Sequence, residues 1–152
     1  VSETVEGFER REATRPTVVV LTTEGLDYSN RSARAVVSRL EEGGVGMHVL
    51  VLLERGVGTS DPNISDQELI QRRFERDLLL DLGPRASGGQ RHDLLASLVA
   101  EQKMRELAAE LRGQYLVVYA RPGALIPPEK IEVSARRADL TARGVPLRMG
   151  VD

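Results

Sequence analysis

Side chains that carry oxygen ligands are concentrated in two segments, each directly after an apolar run. Residues 22–29 and residues 54–63 are both rich in carboxylates and hydroxyls. Oxygen atoms of these types suit Mg²⁺ or Ca²⁺, and open α/β sheets bind ligands beyond the carboxyl ends of their parallel strands. Thr23, Glu24 and Asp27 are the predicted members of any metal or ligand site. The alternative is that Glu24 and Asp27 solvate a turn or cap the next helix.

Other signatures of catalysis or cofactor binding are missing from the sequence. The chain has no Cys, which excludes thiolate nucleophiles and Cys-ligated zinc or iron–sulfur sites. Gly56 and Gly58 follow an apolar run, but no helix-opening third glycine and no Gly-Lys-Ser/Thr comes after them, so they indicate a turn. No Gly-x-Ser-x-Gly occurs, and the spacing of His48 and His92 indicates no metal pair or charge relay.

Two apolar runs separated by a helical pattern predict a strand, a helix and a second strand. The run that starts at Thr17 is typical of a strand buried on both faces, and residues 47–53 form the second run. Short connections predict a right-handed parallel crossover. The helix between them would be capped by Ser29 or Asn30 and ended by Gly43. Its apolar positions are Ala33, Val36, Val37 and Leu40.

The rest of the chain predicts two more helices, a third strand and a hairpin. Helical spacing covers residues 66–82, ended by Gly83-Pro84, and residues 94–112, while residues 114–119 are an apolar strand. Apolar and polar residues then alternate, and a turn at Ala138-Asp139 leads into a short second strand. The predicted fold is α/β, a mostly parallel doubly wound sheet with a C-terminal β-hairpin. Its parts are a charged helical lead-in (1–16), the α/β domain (17–122) and the hairpin extension (123–152).

Composition narrows the possible partners. The 152 residues are 41% hydrophobic and 29% charged, which fits one compact domain. A net charge of −2 and an aromatic content of 3% argue against binding to nucleic acids or anionic lipid. No apolar stretch is long enough for a transmembrane segment, and the first residues carry no signal-peptide pattern. Proteins or small ligands are the expected partners.

Five short motifs in order along residues 15–143 carry a resemblance to a known family. They are Val18-Val-Val-Leu-Thr-Thr-Glu-Gly25, residues 46–58, Ala86-Ser-Gly-Gly89, residues 111–119, and the pair 131–133 with 140–143. The set resembles the von Willebrand factor A domains, especially the divergent branch of secreted acidobacterial proteins. The first two motifs look like that family's fourth strand with its Thr-Asp-Gly turn, and its fifth strand with a glycine turn. The third looks like its Thr-Gly-Gly turn, the fourth like its last core strand, and the fifth like the tail of the bacterial branch.

The resemblance covers only the C-terminal half of such a domain. The family's metal-ion-dependent adhesion site is built on Asp-x-Ser-x-Ser after the first strand, and this sequence has no such motif. Glu24 also stands where the family has Asp, and a longer carboxylate disturbs tight ligand distances. The resemblance therefore implies a degenerate metal site, with Mg²⁺ or Ca²⁺ expected only if the missing half is present.

The missing half has a structural consequence. The family's sheet order, 3-2-1-4-5-6, would place the first strand of this chain at the sheet centre, so an apolar edge is left open here. Val18, Val19, Val20 and Leu21 are the predicted interface with a partner protein or with the chain's own N-terminal half. The resemblance implies a non-catalytic interaction or structural subunit of an extracytoplasmic hetero-complex, acting in adhesion. The alternatives are a small α/β enzyme or metal/ligand-binding protein that uses Glu24 and Asp61, and a scaffold without any ligand.

Overall fold

A computed structural model describes residues 1–23, 25–26, 29–53, 64–117 and 133–144 of the chain. Its three strands form one all-parallel sheet in the order β1-β2-β3. The predicted α/β class with a parallel sheet is confirmed. The elements in chain order are α1 (Ser2–Arg10), β1 (Thr17–Thr23), α2 (Ala33–Glu42), β2 (Gly46–Leu52), α3 (Asp66–Ser87), β3 (Arg91–Leu94) and α4 (Ser97–Arg112).

The main core lies on one face of the sheet, against α1, α2 and α3. β2 is the central strand, and only its last residue is not buried. Because side chains alternate across a strand, every second residue of β2 points to this core face. The buried cluster joins Val5 of α1, Val18 of β1, Leu40 of α2, Val45, three residues of β2 (Met47, Val49 and Val51) and Leu80 of α3.

The helix α2 begins later than the sequence predicted. Its N-cap is Ser32, whose hydroxyl accepts a hydrogen bond from the Ala35 N–H at 3.4 Å. The carboxylate of Glu75, on α3, accepts a second bond from the Ala33 N–H at 2.7 Å. The prediction of Ser29 or Asn30 as the cap was therefore wrong, because a distant carboxylate helps to satisfy the first turn at this point.

The helix α3 continues past Pro84, so the predicted stop at Gly83-Pro84 was wrong. It ends at Ser87 and is capped by Gly88, which adopts a left-handed φ of 76°. The Ser87 hydroxyl donates to the Gly83 carbonyl at 2.6 Å and accepts from the Met47 N–H at 2.9 Å. This bridge holds the last turn of α3 against β2, so the helix is fixed in place beyond the proline.

Three of the later predicted elements also differ. A four-residue strand, β3, precedes α4, and its Leu94 is buried rather than being the first residue of a helix. Residues 114–117 are not a strand, and Tyr115 is exposed; residues 118–119 lie outside the described residues. In residues 133–144 the predicted turn is present, with the Leu140 N–H donating to the Arg137 carbonyl at 3.2 Å, but this stretch contains no strand. Residues 130–132 of the predicted hairpin lie outside the described residues.

Candidate functional site

The predicted metal site is only partly visible in the structure. Glu24, Asp27 and Asp61 lie outside the described residues, so a site built on them stays a prediction. Thr23 is exposed at the end of β1. Its carbonyl accepts a hydrogen bond from the Arg76 guanidinium at 2.6 Å and one from the Thr22 hydroxyl at 3.2 Å. The described part of the chain contains no group of three His, Cys, Asp or Glu residues placed to hold a metal ion.

The predicted interface lies on an edge strand. β1 pairs with β2 on one side, and no strand among the described residues pairs with its other side. The Pro16 carbonyl accepts from the Gly46 N–H at 3.0 Å, so it points toward β2. Since backbone groups alternate in direction along a strand, the N–H and C=O groups of Thr17, Val19 and Leu21 point away from β2. Within the part of the chain that the structure describes, these groups have no hydrogen-bond partner, so they form an open backbone edge there.

The side chains of β1 alternate between a covered face and an open one. Val18 is buried and Val20 half-buried on the core face. On the other face Val19 is 36% exposed and Leu21 63% exposed. The prediction that this strand is buried on both faces was thus wrong for the chain as described, since α4, the helix on that side, packs against β3 instead.

A groove adjoins the open face of β1. It has a volume of about 440 Å³ and runs between the strand ends and α4. We use the name β1 surface for the outer backbone edge of Thr17–Thr23, the side chains of Val19 and Leu21, and this groove. The groove is lined by Leu21, Thr22, Thr23, Leu52, Ser97 and Ala100.

The two edge strands of the sheet, β1 and β3, differ in length and in charge. β3 has four residues, and its Arg91 and Asp93 side chains form an ion pair at 2.9 Å. Short length and charge are the usual means of protecting a sheet edge from further pairing. β1 has seven residues and none of them is charged. The β3 edge is therefore protected against strand addition, whereas β1 has neither of these two protective features.

A second cluster lies around His48, which is buried in β2. Burial lowers the pKa of His48; Glu110 on α4 opposes this effect, while Arg143 and His92 add to it. Arg143 and Glu110 form an ion pair that ties residues 133–144 to α4. The structure thus shows His48 buried, with Glu110, Arg143 and His92 acting on its charge.

The stability of the protein is expected to fall in acid because of His48. The pKa of His48 is lowered from its ordinary value of 6.5, so the unfolded chain binds this proton at a higher pH than the folded protein does. The stabilising effect of the neutral imidazole is full above pH 6.5 and is lost as the pH falls below that value. Urea unfolding at about pH 7.5 and about pH 5.5 measures the loss, which we expect to be smaller in His48→Gln. Equal pH dependence in both proteins would contradict this assignment.

Family models, curated proteins and solved structures give no match to this chain. Among the helices of the described residues, none is long and apolar enough to cross a membrane.

Proposed function

We propose that this chain is a non-catalytic protein-interaction module, a structural subunit that joins a larger assembly by strand addition at β1. The observation that supports this proposal is the unprotected edge of β1, which is long, uncharged and apolar. In strand addition, main-chain hydrogen bonds supply affinity and alternate side chains supply specificity. β1 offers both, through the outward backbone of Thr17, Val19 and Leu21 and the open-face side chains of Val19 and Leu21.

Covering this surface is also energetically favourable. Burial of a fully exposed Leu or Val side chain contributes about 1.5–3 kcal/mol, and Leu21 is 63% exposed. A long, uncharged edge left open is a site of aggregation. A partner that covers β1 therefore stabilises the protein and keeps it in solution.

The resemblance to von Willebrand factor A domains supports the same proposal. In such a domain the first three strands would occupy the position next to β1, so a partner or an N-terminal half of the domain would take their place here. The extracytoplasmic location and a role in adhesion belong to the proposal and depend on the resemblance alone. Thr23, Glu24 and Asp27 would contribute to binding Mg²⁺ or Ca²⁺ only together with that half.

Hydrogen exchange on the protein isolated in its native assembly tests this proposal. The amides of Val19 and Leu21 are expected to exchange about 10-fold or more slowly in the assembly than in the chain on its own. The amides of Val49 and Leu53 serve as internal controls, because they already donate to the Gln90 and Leu94 carbonyls within the sheet. Equally fast exchange of Val19 and Leu21 in the assembly and in the free chain would overturn the proposal.

A further inference from the structure

We infer that the partner at the β1 surface is a second copy of this chain, with the two β1 strands paired antiparallel about a twofold axis at Val19. The two three-stranded sheets then join into one continuous sheet. This inference depends on the proposed function, because it names the partner that the free edge binds.

The direction of the backbone groups makes β1 complementary to itself. A twofold axis at Val19 places Val19 opposite Val19 of the second copy, and Thr17 opposite Leu21 of the second copy. All of these residues have outward N–H and C=O groups. In an antiparallel pair, residues directly opposite each other exchange two hydrogen bonds at every second position. Each outward residue falls on such a bonded position, so no backbone group of Thr17, Val19 or Leu21 is left unpaired.

The hydrogen bonds at the end of the strand locate the axis. An axis at Val20 would pair Thr17 with Thr23 of the second copy and would need the Thr23 carbonyl as an acceptor. That carbonyl already accepts from Arg76 at 2.6 Å and from Thr22 at 3.2 Å. With the axis at Val19, the bonded positions run from Thr17 to Leu21, so the Thr23 carbonyl is not needed as an acceptor. This register is therefore favoured.

The charge pattern suits a symmetric interface as well. In a twofold interface the same patch meets itself, so a charge near the axis would face its own copy and repel it. β1 has no charged residue along its whole length. The side chains that come together on the open face are instead Val19 with its own copy and Leu21 with Thr17, and this contact reduces the exposed apolar surface of Val19 and Leu21.

Because the chain has no Cys, a single introduced Cys is a unique chemical probe. In Val19→Cys the two Cα atoms would lie about 5.5 Å apart across the axis, within reach of a short bismaleimide. We expect this variant to give a covalent dimer in high yield. Leu98→Cys is the matched control: Leu98 is 88% exposed on α4, outside β1, and we expect little cross-linking there. Equal yields from the two variants would overturn the register.

A charge at the axis gives an independent test. Val19→Lys would place two ammonium groups against each other, so we expect the dimer dissociation constant from sedimentation equilibrium to rise about 100-fold or more. Leu98→Lys, the matched control, should leave it unchanged. Circular dichroism shows whether each variant is folded. If Val19→Lys is folded and dimerises as tightly as the unsubstituted chain, the inference is wrong.

Two results distinguish a failure of the second-copy inference from a failure of the proposed function. If the chain is monomeric at every concentration while Val19 and Leu21 are protected from exchange in the native assembly, a different protein or a separate half-domain covers β1. The second copy is then excluded and the proposed function is retained. If Val19 and Leu21 are unprotected in the assembly, both are overturned.

Discussion

Replacement of Gly89 by Ala is expected to destabilise the protein by about 3 kcal/mol or more, enough to unfold a domain of marginal stability. A Cβ atom at position 89 would lie 1.9 Å from the Met47 carbonyl oxygen and 2.6 Å from its carbonyl carbon. Both atoms belong to the backbone of β2, the central strand, which cannot move without breaking its pairing with β1 or β3. The free energy of unfolding, measured by urea titration, is the direct readout.

Gly7→Ala is the matched control for this substitution. Gly7 lies inside α1, and a Cβ atom there meets nothing within 4 Å. Alanine is the better helix former, so this variant should be more stable by about 0.5–1 kcal/mol. Equal stability of Gly89→Ala and Gly7→Ala would contradict the prediction that the backbone of Met47 leaves no room for a Cβ atom at position 89.

The second large effect is expected for Leu40→Ala. Leu40 has no exposed surface and lies in the buried cluster that joins α2 to the sheet. Its removal leaves a cavity between elements that are far apart in the sequence, and such substitutions cost about 2–5 kcal/mol. Urea unfolding and the thermal midpoint both measure the loss.

Ile70→Ala is the comparison for Leu40→Ala. It removes an aliphatic side chain from α3 that is 69% exposed, so a change within about 0.5 kcal/mol is expected. A cost below about 1 kcal/mol for Leu40→Ala would show that the face of the sheet against α1, α2 and α3 is not the main core.

Apolar periodicity was a good guide where an element carries a strong pattern of its own. β1 begins at Thr17 as predicted, β2 begins and ends within one residue of the predicted range 47–53, and Gly43 caps the end of α2 as expected. β3 was missed because it reads Arg-His-Asp-Leu, which has no apolar alternation. It forms through its pairing with β2, where the Val49 N–H donates to the Gln90 carbonyl at 2.8 Å. No local pattern could have indicated this strand.

The candidate site was likewise predicted only in part from the sequence. The uncharged apolar run and the resemblance indicated that β1 is an interface. They did not indicate which side chains and backbone groups of β1 are free. That depends on the alternation of Val18 and Val19 between the two faces, and on Arg76 of α3 reaching the Thr23 carbonyl. Contacts between residues far apart in the chain leave no local signal.

The sequence by itself determined that this protein is an α/β domain with an uncharged apolar strand, because side-chain type and spacing set which elements form. Only the tertiary structure decided which residues of this strand are accessible: Val18 packs into the core, whereas Val19 and Leu21 are exposed. The physical reason is that burial of apolar side chains is favourable, whereas the order of the strands decides which of these side chains the chain itself can bury.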